Sequence, residues 1–277
     1  MIGVGYRKDF AEEWENNPDS LRVDFIEVAP ENWMNVGGYW KKLFDKKLQD
    51  YPLFTHGLSL SIGSPDELDF KFLKDLKTFL DSNNVVIYSE HLSFSKCDNA
   101  HLYDLLPVPF TEDAVKHVVK KVKSVQDILE RPLVLEIVSY YSPLAAEMKE
   151  IDFVNAIVQE SDCQLLLDVN NIYVNSFNHG FNPVEFITLL PRDKIAYIHM
   201  AGHLQVDDNL IIDTHSEPII NPVYRLFEFS LKWLQKPIPV LLERDFNIPD
   251  LKEIQSEINE LKRLYNKSLQ KEKEHVS

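Results

Sequence analysis

The strongest constraint on this chain is an alternation that runs from one end to the other. Short runs rich in Val, Ile, Leu and Phe lie at 2–6, 24–28, 53–60, 85–89, 133–137, 164–169, 195–198 and 239–242. Amphipathic, charge-rich stretches alternate with them at 9–16, 39–50, 65–82, 111–130, 148–160, 183–190, 222–234 and 249–265. The apolar runs are too continuous for half-exposed strands, so they read as strands covered on both faces. Several of the intervening stretches carry Pro at or near their start, where a helix tolerates it. Strands alternating with helices point to a parallel sheet, and eight such units close a (β/α)8 barrel. The expectation is an α/β fold, a (β/α)8 TIM barrel spanning residues 1–265 as one domain, with a doubly wound open sheet as the alternative. No repeat, low-complexity linker or hinge divides the chain, and the polar residues 266–277 are expected to fray.

Composition narrows the function. The 277 residues are 44% hydrophobic, enough for a sizeable core. A net charge of −15, from 44 acidic against 29 basic side chains, argues against wide contact with a phosphate backbone, so no nucleic-acid partner is expected. Cys97 and Cys163 form neither a disulfide framework nor a C-x-x-C metal motif. Met1 leads straight into Ile-Gly-Val-Gly without a basic and then apolar leader. No apolar run approaches the ~18 residues of a membrane helix. A soluble, cytoplasmic protein without a membrane partner is expected.

In a parallel barrel, catalytic groups sit where strands end and the following loops begin. Those places are unusually polar here. The second strand candidate runs FIEVAPEN with Glu27 and Glu31; the third contains THGLSLSIG with His56; the fourth ends SEHLSF with Glu90 and His91. LVLEIVSYY carries Glu136, and LLLDVNNIYVN carries Asp168, Asn170 and Asn171. IAYIHMAGH supplies His199 and His203, Asp213-Thr-His215 follows, and PVLLERDFN supplies Glu243, Arg244 and Asp245. One buried carboxylate is ordinarily an ion pair, because an unpaired charge is expensive there. Several strands presenting His, Asp or Glu at one barrel mouth would repel one another unless a cation stood among them, and Arg244 is the one clear basic residue at these places. The candidate ligands are therefore His56, His91, Glu136, Asp168, His199, Asp213, His215 and Glu243, enough for two or three ions if carboxylates bridge. Imidazole and carboxylate without thiolate suits non-haem iron, manganese or catalytic zinc. Asn171, His203, Glu31, Glu90 and Arg244 are candidates for supporting or additional roles. His179, in NSFNHGFNP, reads as part of a turn-rich loop. There is no Gly-rich phosphate loop, G-x-S-x-G elbow or H-E-x-x-H motif.

Taken together, GVGYR, EVAPEN, THGLSLSIG, SEHLSF, DVNNIYVN, HMAGH, DTH and ERD resemble the signature of the multinuclear non-haem iron-dependent oxidases, relatives of the methanobactin-biosynthesis oxidase. The resemblance covers residues 2–247 and implies a xylose-isomerase-like barrel. It further implies two or three irons per chain in a mixed-valent Fe2+/Fe3+ state. His56, His91 and Glu136 would form one ligand set and Asp168, His199 and Glu243 a second, with Glu136 bridging. Asp213 and His215 would serve a third, looser position, with Asn171 beside them. The implied activity is dioxygen-dependent oxidation of a ribosomally made peptide, often at cysteine, with a small partner protein presenting it. One departure stands out: Ile137 follows Glu136 where the family commonly has Asn, which alters hydrogen bonding beside a ligand. The competing readings are a non-redox metal-dependent barrel enzyme, of sugar isomerase or endonuclease type, and a metal-binding scaffold without activity.

Overall fold

A computed structural model describes the backbone of residues 1–98, 100–142 and 145–275, and the side chains among these up to residue 268. In chain order the strands are β1 (Ile2–Gly5), β2 (Phe25–Val28), β3 (Leu53–Gly57), β4 (Ile87–His91), β5 (Ser93–Cys97), β6 (Ala100–Pro107), β7 (Val134–Glu136), β8 (Gln164–Asp168), β9 (Ile195–Met200), β10 (Leu204–Gln205), β11 (Ile211–Ile212) and β12 (Val240–Leu242). The α-helices are α1 (Lys8–Asn16), α2 (Gly38–Asp50), α3 (Phe70–Ser82), α4 (Glu112–Leu129), α5 (Glu150–Ser161), α6 (Val169–His179), α7 (Pro183–Leu189), α8 (Asn221–Leu234) and α9 (Leu251–His275). Eight strands close into one parallel barrel in the order β1-β12-β9-β8-β7-β4-β3-β2, and these are the eight strand candidates of the sequence. The seam joins the first and last staves, Ile2 against Val240 and Val4 against Leu242.

Apolar packing falls into two bodies. The larger lies between the outward faces of the staves and the helices, where Ile26, Leu135, Leu165, Ile198 and Val240 meet Leu76, Val122, Ile157, Phe227 and Ile254. The smaller fills the barrel interior with Phe25, Phe54, Val134, Leu166, Tyr197 and Leu241. Side chains two residues apart on a strand face the same way. The next inward positions on those six staves are therefore Glu27, His56, Glu136, Asp168, His199 and Glu243, all buried. β4 makes the same step from Ser89 to His91. β1 brings only Gly3 and Gly5 to these levels, and a Cβ on Gly3 would stand 2.6 Å from ring atoms of Phe25. Glycine there leaves the interior to that ring.

The structure departs from the sequence reading at four places. Two antiparallel hairpins, β5–β6 and β10–β11, extend the loops after β4 and β9. α3 starts at Phe70 rather than at residue 65, because Asp69 caps it by accepting from the Phe72 amide at 2.9 Å. The last helix continues through His275, past residue 265, with the final two residues outside the described ones. The segment after β8 is a helix, α6, and not a loop. Its asparagines disfavour helix in isolation, but Asp168 caps its start and Gly180, at φ +71°, ends it. His179 is consequently the last residue of that helix, stacked on Tyr140 at 4.2 Å between ring centroids.

Candidate metal centre

Seven of the eight staves deliver a charged or imidazole side chain to the C-terminal end of the barrel. Four overlapping triads result: His56, His91 and Glu136; Glu136, Asp168 and His199; Glu27, His199 and Glu243; and Asp168, His215 and Glu243. In each, one potential ligand atom per residue lies within 4.8 Å of the others. Glu136, Asp168, His199 and Glu243 each belong to two triads, so the groups form a connected cluster.

The first triad shows how the surroundings fix the rings. His91 Nδ1 is 3.0 Å from the Gly57 carbonyl oxygen. A carbonyl only accepts, so Nδ1 donates and Nε2 faces inward. His56 Nδ1 lies 2.7 Å from Ser89 Oγ, which leaves its Nε2 inward as well. The two Nε2 atoms are 3.0 Å apart, and Glu136 Oε2 is 2.8 Å from one and 3.4 Å from the other. Two atoms each about 2.1 Å from one ion and 90–110° apart would be about 3.0–3.4 Å from one another. The spacing fits a shared cation. It fits a shared proton too: burial works against a charge on His91, yet Glu136 and Glu90 hold its proton up to about pH 9. Burial likewise works against charge on Glu136, but His56 and His91 pull its carboxyl down to about 2. A cation entering here displaces protons.

His199 sits between two carboxylates, with Nδ1 2.8 Å from Glu243 Oε2 and Nε2 3.0 Å from Glu27 Oε1. The second contact is close but not aligned as a hydrogen bond, and Nε2 is among the buried atoms without a hydrogen-bond partner. Glu136 Oε2, Asp168 Oδ2, Asn171 Oδ1 and both ring nitrogens of His215 share that condition. Buried polar atoms are rarely left so. Six of them, on residues of one connected cluster and on Asn171 beside it, fit a metal centre, and the oxygen and nitrogen donor set suits a first-row transition ion.

Local structure accounts for each orientation. Asp168 ends β8 and begins α6; its Oδ1 accepts from the Asn171 amide at 2.7 Å while Oδ2 faces the cluster. Burial, with Glu136 and Asp213 adding to it, raises the Asp168 carboxyl well above its usual range, against the pull of His215. Asn171 Nδ2 donates to Glu136 Oε1 at 2.7 Å. Beneath the cluster, Tyr197 donates to Glu27 Oε2 at 2.8 Å and meets Ser89 Oγ, which contacts His56. His215 is held in the left-handed region at φ +47°, a strained backbone for a bulky residue. Its Nε2 is 2.8 Å from Asp213 Oδ1, and its Nδ1 is 3.2 Å from Glu243 Oε2. Asp213 stands at the cluster's edge, outside the triads. Ser139 Oγ and Asn170 Nδ2 donate to its two oxygens, both at 2.8 Å.

The remaining candidates support rather than converge. Glu31 accepts from the amides of Leu58 and Ser59 and shapes the loop after β3. Glu90 faces the opposite side of β4 from Ser89 and His91 and accepts from the Leu60 amide at 2.7 Å. His203 contacts Asn170 Oδ1 at 2.7 Å and stacks on Tyr173. Arg244 turns away to Glu257 of α9, 2.6 Å distant. Ile137 packs into the outer apolar body, and its carbonyl receives Asn171 Nδ2 at 3.3 Å. Glu27 is the converging residue absent from the sequence-derived ligand set, although its place two residues beyond Phe25 repeats the step seen at the other staves.

The cluster forms the floor of a mouth of about 610 Å³, lined by His91, Glu136, Asn171, Asp213, His215 and Glu243 below and by loop residues above. A cavity of about 630 Å³ between α2 and α3 is lined by none of the candidate ligands. Among the described residues, no helix is long and apolar enough to cross a membrane.

Known proteins resemble this chain in fold and in sequence. Solved structures of the 3-keto-D-glucoside 4-epimerase YcjR from E. coli (TM-score 0.62, 14% identity, 96% of this chain and 98% of that one) and of a xylose isomerase domain protein from Planctomyces limnophilus (TM-score 0.61, 12% identity, 97% and 98%) share the fold. The barrel is thus xylose-isomerase-like. UPF0276 proteins of Shewanella sediminis and Pseudomonas aeruginosa are 50% and 44% identical, the first over 94% of this chain and 92% of its own length, the second over 96% and 93%. The model of the RiPP precursor modification enzymes MbnB/TglH/ChrH matches residues 1–266. With that match over nearly its whole length, the chain belongs to the MbnB/TglH/ChrH family of enzymes that modify ribosomally made precursor peptides.

Proposed function

We propose that this chain is a multinuclear non-haem iron oxidase that uses dioxygen to modify a precursor peptide at cysteine. The observation that carries the reading is the connected cluster of four triads, with six buried donor atoms lacking hydrogen-bond partners. Iron bound there would supply an electron reservoir and open positions for dioxygen and a thiolate. The chain's own residues do the rest. His56, His91, Glu136, Asp168, His199, His215 and Glu243, with Glu27 and Asp213, would hold two or three ions. Glu136, shared by two triads, would bridge. Ser89, the Gly57 carbonyl and Asn171 fix the orientation of His56, His91 and Glu136, and partners of this kind tune metal affinity. The open mouth admits an extended peptide, and a small partner protein that presents it belongs to the same reading.

Protein purified without oxygen should contain two or three irons per chain. It should consume oxygen only when a cysteine-containing precursor peptide is added. A single tightly held zinc or manganese with no peptide-dependent oxygen uptake would sink the oxidase reading in favour of non-redox metal chemistry.

A further inference from the structure

The hairpin β5–β6 overhangs the mouth and is irregular where it does so. Ser93 and Phe94 pair with Pro107 and Leu106, but Lys96 and Cys97 pair with His101 and Ala100. Three extra residues are therefore accommodated on β6 between its two paired ends. Such bulges bend a strand and re-aim side chains, often beside active sites. Here Tyr103 takes a left-handed backbone at φ +55°, which is strained for an aromatic residue, and its side chain is almost wholly exposed (97%). Ser61 Oγ anchors the arm by accepting from the amides of Ser95 and Lys96. The bulge brings Tyr103, Asp104 and Leu105 to the mouth.

Three other loops bring exposed large apolar side chains to the same mouth: Leu58 after β3, Tyr141 after β7 and Phe246 after β12. Exposed apolar groups gathered around a polar floor mark a binding surface. The charged groups beside them are acidic, namely Asp104, Asp213 and Asp245, and the nearby Arg7 is already paired with Asp245.

We propose that the bulged arm and Phe246 form a specificity rim. It seats a large apolar side chain of an extended substrate peptide next to the residue delivered to the cluster, and it disfavours acidic residues in that stretch. This rests on the peptide-modifying reading above, but it is tested by binding alone. The probes are three fluorescein-labelled octapeptides. The first is Gly-Ser-Lys-Phe-Cys-Lys-Ser-Gly; the second has serine in place of phenylalanine; the third has glutamate in place of both lysines. Dissociation constants are measured by anisotropy, without oxygen, on iron-loaded wild type, on the double variant Tyr103→Ser/Phe246→Ser, and on the control Tyr39→Ser, whose exposed ring is on α2.

The phenylalanine peptide should bind wild type and control roughly tenfold or more tightly than the serine peptide, the effect of burying one aromatic side chain. That advantage should fall below about threefold in the double variant, and the glutamate peptide should bind more weakly than the first. Equal affinities, an advantage that survives in the double variant, an unpenalised glutamate peptide, or no binding of any probe would each overturn the rim. Because no turnover enters the measurement, a preserved preference without oxygen uptake would leave the rim standing and remove only the oxidase reading.

Discussion

Inside the barrel, consecutive inward positions on the same staves have opposite characters. Phe25, Phe54, Val134, Leu166, Tyr197 and Leu241 make a plug. Two residues further on come Glu27, His56, Glu136, Asp168, His199 and Glu243. Both sets are buried, yet one is stabilised by leaving water and the other is penalised for it. The difference shows that the plug is part of the site: it closes the barrel beneath the donors, so their charges must be balanced from the side or from above. Tyr197 belongs to both levels, with its ring in the plug and its hydroxyl on Glu27.

Three substitutions test how separable the levels are. Phe54→Ala should cost about 3–5 kcal/mol of folding stability, read as a shift in the denaturation midpoint. The folded fraction should still bind its full iron complement, and a parallel loss of metal would break the separation. Glu136→Ala should lower iron affinity at least about 100-fold, measured by competition with a chelator. It should destabilise the metal-free chain less than Phe54→Ala does, because His91, whose proton Glu136 helps to hold, can shed it once that carboxylate is gone. Tyr197→Phe keeps the ring and removes the hydroxyl, so iron affinity should drop about tenfold while stability changes by about 1 kcal/mol.

The smallest effect concerns a carboxylate away from the cluster. Burial pushes the Glu150 carboxyl from 4.5 up to about 7, with the Tyr140 hydroxyl pulling the other way. The folded chain therefore holds this proton more tightly than the unfolded one, and stability falls as pH rises from 4.5 to about 7. Glu150→Gln should remove that loss. Its gain, about 1 kcal/mol after allowing for partial exposure, should be present above pH 7 and absent below 4.5. A gain independent of pH would show that packing, not ionisation, sets the cost.

The eight staves were legible because each holds a short run rich in Val, Ile, Leu or Phe, and the polar residues that converge at the mouth were conspicuous because most of them stand where those runs end. Glu27 escaped the ligand set because Glu31 and Asn32 follow closely, and spacing alone does not say which acid turns inward. The shared step from an apolar residue to a donor two positions on singles it out once the barrel is known. α6 was hidden by its asparagines. Asn170, Asn171 and Asn175 are buried and hydrogen-bonded to Asp213, Glu136 and Val138, so tertiary partners override their local preference. The hairpin arm carried no apolar alternation to announce it, and the strand that pairs with its bulged half is held by Ser61, more than thirty residues earlier.

The seam between β1 and β12 has a bearing on biogenesis. Glu243 follows the last stave, and the ring closes only when Val240–Leu242 lies against Ile2–Val4. A nascent chain that has not yet released this segment from the ribosome has open sheet edges and lacks one arm of two triads. The full set of donors comes into being only after translation has passed residue 243. The two triads without Glu243 can assemble earlier, so an ion held by the Glu27–His199–Glu243 or Asp168–His215–Glu243 set would be the last to find its site.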